Sequence, residues 1–258
     1  MKIKFLVYFV VVYLAGTSSL HAQETLIFST IVNSNSAKIS EQVIREAYRR
    51  LGFDIEIVAM PARRALEVSN DGEVDGELHR IYGLDKRWQN LVRVPNKVNV
   101  LEATVFTKRV KFDVAGWNSI KPYVVGVRRG IQFSNRNTDG MSRQIVNSIQ
   151  SLFEILKFDR VEVIVTSLVN GLSELKEAKI SMIRPLSPPI EIYPLYHYLH
   201  KKNVHLLKPL TEVLRVMQQN GEIETIIEQN ISRLAAHVIK TESDLEFAEA
   251  LLPITPDC

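Results

Sequence analysis

The sequence predicts an α/β protein built from two lobes of similar plan, each with its own sheet. Two observations carry this expectation. Through the first third of the chain, short apolar runs that suit strands alternate with stretches of helical periodicity, and the links between them are short. That order is the pattern of a parallel sheet. A helix–turn–strand passage also recurs. Glu67-Val68 followed by Gly72-Glu73-Val74-Asp75 matches Glu154-Ile155 followed by Asp159-Arg160-Val161-Glu162 at one fixed offset, with an acidic residue inside each following strand. Composition agrees with a globular chain. Of 258 residues, 46% are apolar and 24% charged, which argues against a disordered or collagen-like protein. The single cysteine, Cys258, allows neither an intramolecular disulfide nor a thiolate metal cluster.

Taken in order, residues 1–22 read as a secretory signal peptide. Met1-Lys2-Ile3-Lys4 is basic, residues 5–16 are uncharged and apolar, and 17–22 are polar and end in Ala22. The apolar run falls short of the roughly 20 residues needed to cross a hydrocarbon core. Loss of Lys2 and Lys4 takes the net charge from +3 to +1, too balanced for a nucleic-acid groove. A periplasmic location is expected. Residues 26–31 suit a buried strand. Ile39, Val43, Ala47, Tyr48 and Leu51 recur at helical spacing, with Gly52 where a C-terminal cap belongs. Phe53, Ile55 and Ile57 alternate as a strand, Pro61 opens a helix to about residue 70, and 74–80 is a third strand. Strands follow at 98–107 and 123–127, the latter running into Gly126-Val127-Arg128-Arg129-Gly130. A further strand at 195–199 leads to a helix with Leu210, Val213, Leu214 and Met217, then past Gly221 to Ile223, Ile227 and Ile231. Ser243-Asp244-Leu245-Glu246 is a capping box for a short acidic helix.

Several of these segments carry a resemblance. Asn70-Asp71-Gly72-Glu73-Val74-Asp75-Gly76, Leu84-Asp85-Lys86-Arg87, Tyr123-Val124-Val125-Gly126-Val127 with Gly130, Arg160-Val161-Glu162-Val163 and Met217-Gln218-Gln219-Asn220-Gly221 stand in the order and spacing of one family. Over residues 26–231 the chain resembles the periplasmic solute-binding proteins of family 3, the polar amino-acid-binding type. The resemblance implies a two-lobed periplasmic binding protein-like fold of type II, with two hinge strands. It implies residues 23–110 as the first part of lobe 1, 111–192 as lobe 2, 193–240 as the return to lobe 1, and 241–258 as a C-terminal acidic tail. It also implies a small-molecule ligand captured by cleft closure, a membrane ABC transporter or sensor as partner, no cofactor and a monomeric state.

The family's strand-opening Asp and its carboxylate-binding Arg twelve residues later correspond to Asp75 and Arg87. A guanidinium fork grips two carboxylate oxygens at once. Where the family has small hydroxyl residues four, five and seven positions after that Asp, this chain has His79, Arg80 and Tyr82. The family's ammonium-binding Asp falls at Ser167, and its covering aromatic is missing from residues 33–36. These departures shift the expected ligand towards a small polar anion. Arg80 ends a strand where open α/β sheets place ligands, and an ion pair with Glu77 or Asp85 is its alternative. His79 is a candidate beside it, although strand alternation turns it away. From the second lobe, Arg128 and the backbone amides of Gly130, Ile131 and Gln132 can meet an anion, and Thr166 and Ser167 can donate hydroxyl bonds.

Period two puts His197 and His200 on opposite strand faces, so a metal site with His205 is not expected. Hydrolase, zincin, Walker and dinucleotide signatures are missing from the sequence. The chain therefore reads as a binding protein and not an enzyme. Two alternatives stay open: a small-molecule lyase or dehydratase using Glu77 or Glu162, and an interaction protein that has lost its ligand. N-terminal sequencing of the protein recovered from the cell envelope should begin at Gln23. Intact residues 1–22 on a membrane-bound product would overturn the export assignment.

Overall fold

A computed structural model describes residues 25–236. The expected signal peptide and the expected acidic C-terminal helix lie outside the described residues. The predicted alternation opens the chain: β1 (Thr25–Ile31), α1 (Asn35–Arg50), β2 (Asp54–Met60), α2 (Ala62–Asp71) and β3 (Gly76–Ile81). The polar loop ahead of α1 has a local purpose, because Ser34 Oγ accepts from the Ala37 amide and caps the helix. Ile39, Val43, Ala47 and Tyr48 are buried, as their spacing requires. Gly52 follows at φ 82°, a left-handed position that a side chain would strain.

The next strand, β4 (Leu91–Thr107), is longer than the run read from sequence. Its pairing shifts register between Arg93 and Asn99, around Pro95, so the strand passes a residue that cannot donate to a ladder. The second half repeats the plan with β5 (Val125–Arg128), α3 (Gln132–Asn137), β6 (Arg143–Val146), α4 (Ile149–Lys157), β7 (Val163–Ser167) and α5 (Leu168–Glu177). The chain then passes through β8 (Arg184–Pro185) into β9 (Glu191–His200) and ends on α6 (Leu207–Gln219) and α7 (Glu222–Ala235).

β1 pairs in parallel with β2 and β3, and β5 pairs in parallel with β6 and β7. Between these two parallel sets run β4 and β9, antiparallel to each other and to their outer neighbours. The strand order is β2-β1-β3-β9-β4-β7-β5-β6, with β8 on β4. The chain thus crosses twice, as expected, but the expectation of two separate sheets is corrected. Pairing from Val92 with Leu199 to Ala103 with Glu191 carries the hydrogen bonds across the junction, leaving one nine-stranded ladder.

The cores follow the same logic. One runs beneath both halves, joining Val43 and Tyr48 of α1 to Leu172 of α5, Leu214 of α6 and Ile227 of α7. Gly171 lets α5 approach β4 closely, since a Cβ there would lie 2.0 Å from the Phe106 ring. The other core belongs to the second half and packs Val105, Val125, Val163 and Val165 against Trp117 and Tyr123.

The internal echo has a physical counterpart. Asp75, just before β3, accepts from the Ile27 amide of β1 through Oδ2 (2.8 Å). Glu162, just before β7, accepts from the Val124 amide ahead of β5 through Oε2 (2.9 Å). Each half therefore pins its central strands with one carboxylate at equivalent places. Asp75 also accepts from Asn203 Nδ2 (2.9 Å) and pairs with Lys202 Nζ (3.1 Å), tying the C-terminal return to the first half. Burial works to raise its carboxyl, but the Ile27, Asn203 and Lys202 bonds outweigh it and hold the group below its usual range. Asp75→Ala should lower unfolding stability by about 1.5–3 kcal/mol in urea titrations. The contribution of Asp75 should be present above its ordinary value of 3.8 and fade as pH falls through the lowered one.

Candidate functional site

A polar groove of about 920 Å³ separates the two halves. Its first wall is the β1–α1 loop with Asn33 and Ser34, the exposed side of α1 with Lys38, and the outer edge of β2. Its second wall is Arg128 at the end of β5, the Asn147–Ser148 turn that opens α4, and Asn170, Ser173 and Glu174 of α5. The site lies at the C-terminal ends of parallel strands, where open α/β sheets present helix N-termini. Ser148 Oγ caps α4 by accepting from Ser151 N (3.0 Å), as Ser34 caps α1. The positive ends of both helices thus border the groove.

Arg128 is the cation best placed to use this field. Asn135 Nδ2 donates to its carbonyl (2.6 Å) and fixes the strand end. The Arg128 guanidinium has no partner among the described residues, and burial lowers its pKa. An anion entering here would relieve that desolvated charge. The same wall also carries an acid. Burial, then Glu177 and Glu154, raise the Glu174 carboxyl, which accepts from Gln150 Nε2 (3.3 Å). The groove lining therefore carries both signs, Lys38, Arg45 and Arg128 with Glu41, Glu56, Glu174 and Glu177.

Of the candidates read from sequence, Arg128 lines this groove. Gly130, at φ 80°, and Gln132 are exposed beside it, but the Ile131 amide is already used, donating to Arg128 O (3.3 Å). Thr166 is buried in β7 opposite Thr104, and Ser167 is 4% exposed and borders a different, smaller cavity. Arg87 follows a 3-10 turn at Leu84–Lys86 and is exposed, with its guanidinium 5.8 Å from the neighbouring Trp88 ring. The carboxylate-binding spacing thus leads to a solvent-facing turn outside the groove.

A β-bulge lies between Glu77 and Arg80. Glu77 faces Tyr198 on β9 while Arg80 faces Tyr196, so three steps on β3 match two on its partner. The extra residue turns Glu77 and Arg80 towards α2 together. Arg80 NH2 lies 2.9 Å from Glu77 Oε1 and donates to Ala62 O (3.2 Å). The ion-pair alternative is the one this geometry realises. Ser29 Oγ donates to Glu77 Oε2 (2.7 Å) from β1. Burial raises Glu77 to about 7, against the pull of Arg80 and Ser29. The placement of His79 as a ligand contact is corrected: its Nδ1 sits 2.6 Å from Ser40 Oγ inside the first half, and burial lowers it to about 3. His197 is likewise interior, between Tyr48 OH and Leu78 O. Lys38, Asn147, Ser148, Asn170 and Glu174 were not found by sequence reasoning. The helix-capping pattern at Ser148 is the one local signal that could have pointed to this wall.

No family model matches the chain. A protein of Shewanella oneidensis, described as uncharacterized, is 26% identical over 200 residues, covering 74% of this chain and 75% of that one. Among solved structures, a histidine kinase sensor domain with similarity to periplasmic binding proteins superposes with a TM-score of 0.62 at 14% identity, covering 79% of this chain and 94% of its own. An ancestral arginine-binding protein bound to glutamine gives 0.60 at 17%, covering 81% and 98%. The substrate-binding protein of an amino acid ABC transporter gives 0.58 at 16%, covering 80% and 98%. The chain has the α/β fold of type II periplasmic binding proteins.

The Glu77–Arg80 pair makes a pH signature. A carboxyl raised in the folded state stabilises fully below its unfolded value of 4.5, and that contribution is lost as pH rises through about 7. His79 and His197, held low at about 3 and about 4 chiefly by burial, act in the opposite sense below 6.5. The difference between wild type and Glu77→Gln isolates the carboxyl. Wild-type stability relative to the variant should fall by on the order of 3 kcal/mol between pH 4.5 and 8. A pH-independent difference in urea titrations would contradict the raised carboxyl.

Proposed function

We propose that the chain is an exported, non-enzymatic solute-binding protein. It captures a small polar, carboxylate-bearing ligand between its halves, and serves a membrane transporter or sensor in the periplasm. The observation that carries this reading is the Arg128 guanidinium, without a partner among the described residues, in a two-walled groove bordered by the N-termini of α1 and α4. The solved relatives named above include amino-acid binders and a sensor domain, which agrees with either use. The lobes divide at about residues 110 and 192, and Gly130 and Gln132 flank the ligand from the second lobe. Arg80 and Arg87 would join the site only on rearrangement, since one is held by Glu77 and the other faces solvent. The lyase alternative gains little support: Glu162 is engaged by the Val124 amide, and Glu77 lies under α2.

Native mass spectrometry of freshly purified protein should reveal a co-purified small acid. Losing a buried charge-assisted bond costs about 2–5 kcal/mol, so Arg128→Ala should weaken its binding by about one and a half to three and a half decades. Arg128→Lys should recover part of that, because an ammonium lacks the bidentate fork. Thermal-shift titration against carboxylates and neutral solutes is the measurement. Preferential stabilisation by a neutral solute, equal in Arg128→Ala, would defeat the reading.

A further inference from the structure

Where the halves meet, a second cavity of about 10 Å³ lies away from the groove. Ser36 near the start of α1, Asn99 and Glu102 of β4, Ser167 ahead of α5, and Ile227 and Ile231 of α7 line it. A space of about 10–15 Å³ holds one water molecule and nothing larger. The chemistry of the wall favours water over a void. Ser167 occupies the N-cap position of α5 and is 4% exposed, yet its Oγ makes no cap bond and has no partner among the described residues. The first amides of α5 consequently lack a side-chain acceptor. Glu102 shares a strand face with Phe106, which lies against Gly171 of α5, so alternation turns its side chain towards the same helix. Burial raises the Glu102 carboxyl.

We propose that this cavity is a hydration site holding one water molecule that bridges Ser167 Oγ and the N-terminal amides of α5, on a wall shared with Glu102 of the first crossing strand. A water can accept from an amide and donate to the hydroxyl oxygen in the same position, completing the cap that Ser167 leaves open. An anion is disfavoured by the adjoining carboxyl. A metal cation is disfavoured by the positive N-terminal ends of α1 and α5. The bridge would complete the start of α5 where it leaves β7 beside the crossing strand, and it stands independently of any ligand in the groove.

Two measurements on the exported chain test it. In a crystal structure at about 1.5 Å, one water should lie within about 3.2 Å of both Ser167 Oγ and an α5 amide nitrogen. In solution, the Leu168 or Val169 amide should show cross-relaxation to a long-lived water, and Ser167→Ala should lose it. That variant should stay folded, with Tm lower by about 2–4 °C, the change expected for one lost cap in a chain of this size. A dry cavity in the wild type would overturn the site. So would density with the short distances and high ligand count of a metal ion, or a water signal unchanged in Ser167→Ala.

Discussion

The antiparallel pairing of β4 with β9 is the constraint on which the rest depends. Each parallel set of strands has a free edge that needs a partner, and a buried edge without one would leave backbone amides unmet. β9 covers β3 on one side and β7 is covered by β4 on the other, while the two crossing strands bond to each other. This arrangement puts the C-terminal ends of β1 and β5 on facing walls. The groove, the caps at Ser34 and Ser148, and the place of Arg128 on its wall all follow from that apposition.

Charge inside the protein is handled in two ways. Where a carboxylate meets several donors, as Asp75 meets Ile27, Asn203 and Lys202, it stays ionised and acts as a staple. Where burial dominates, as at Glu77 and Glu102, the carboxyl is pushed towards its neutral form. Arg128 is a third case, a partly desolvated cation at a groove wall with no partner among the described residues. Unpaired buried charge is costly, and sites that keep it are functional candidates for that reason.

Much of the fold was legible in the sequence because it rests on local periodicity. The spacing of Ile39, Val43, Ala47 and Tyr48 fixed the buried face of α1, and the matched acids Asp75 and Glu162 marked equivalent strand starts in both halves. What sequence could not decide was non-local. The Glu77–Arg80 pair was one of two alternatives, and alternation alone could not choose it, because the bulge in β3 is defined against β9, more than a hundred residues away. The strand read from sequence began only at residue 98, and pairing with β9 on either side of Pro95 is what extends β4 back to Leu91. Arg128 could be read from its position at a strand end. Lys38 and Glu174 could not, since their role comes from two surfaces that the chain brings together only in three dimensions.

The core shared by α1, α5, α6 and α7 changes what a lobe means here. By outline and strand order the molecule has two parts. By the packing of Tyr48, Leu172 and Ile227 into one apolar mass, the two parts share one core. The seam along which the two halves could flex is therefore different from any seam along which the protein could come apart. Neither half is a module that could be lifted out, exchanged or inherited alone, because each takes part of its interior from the other.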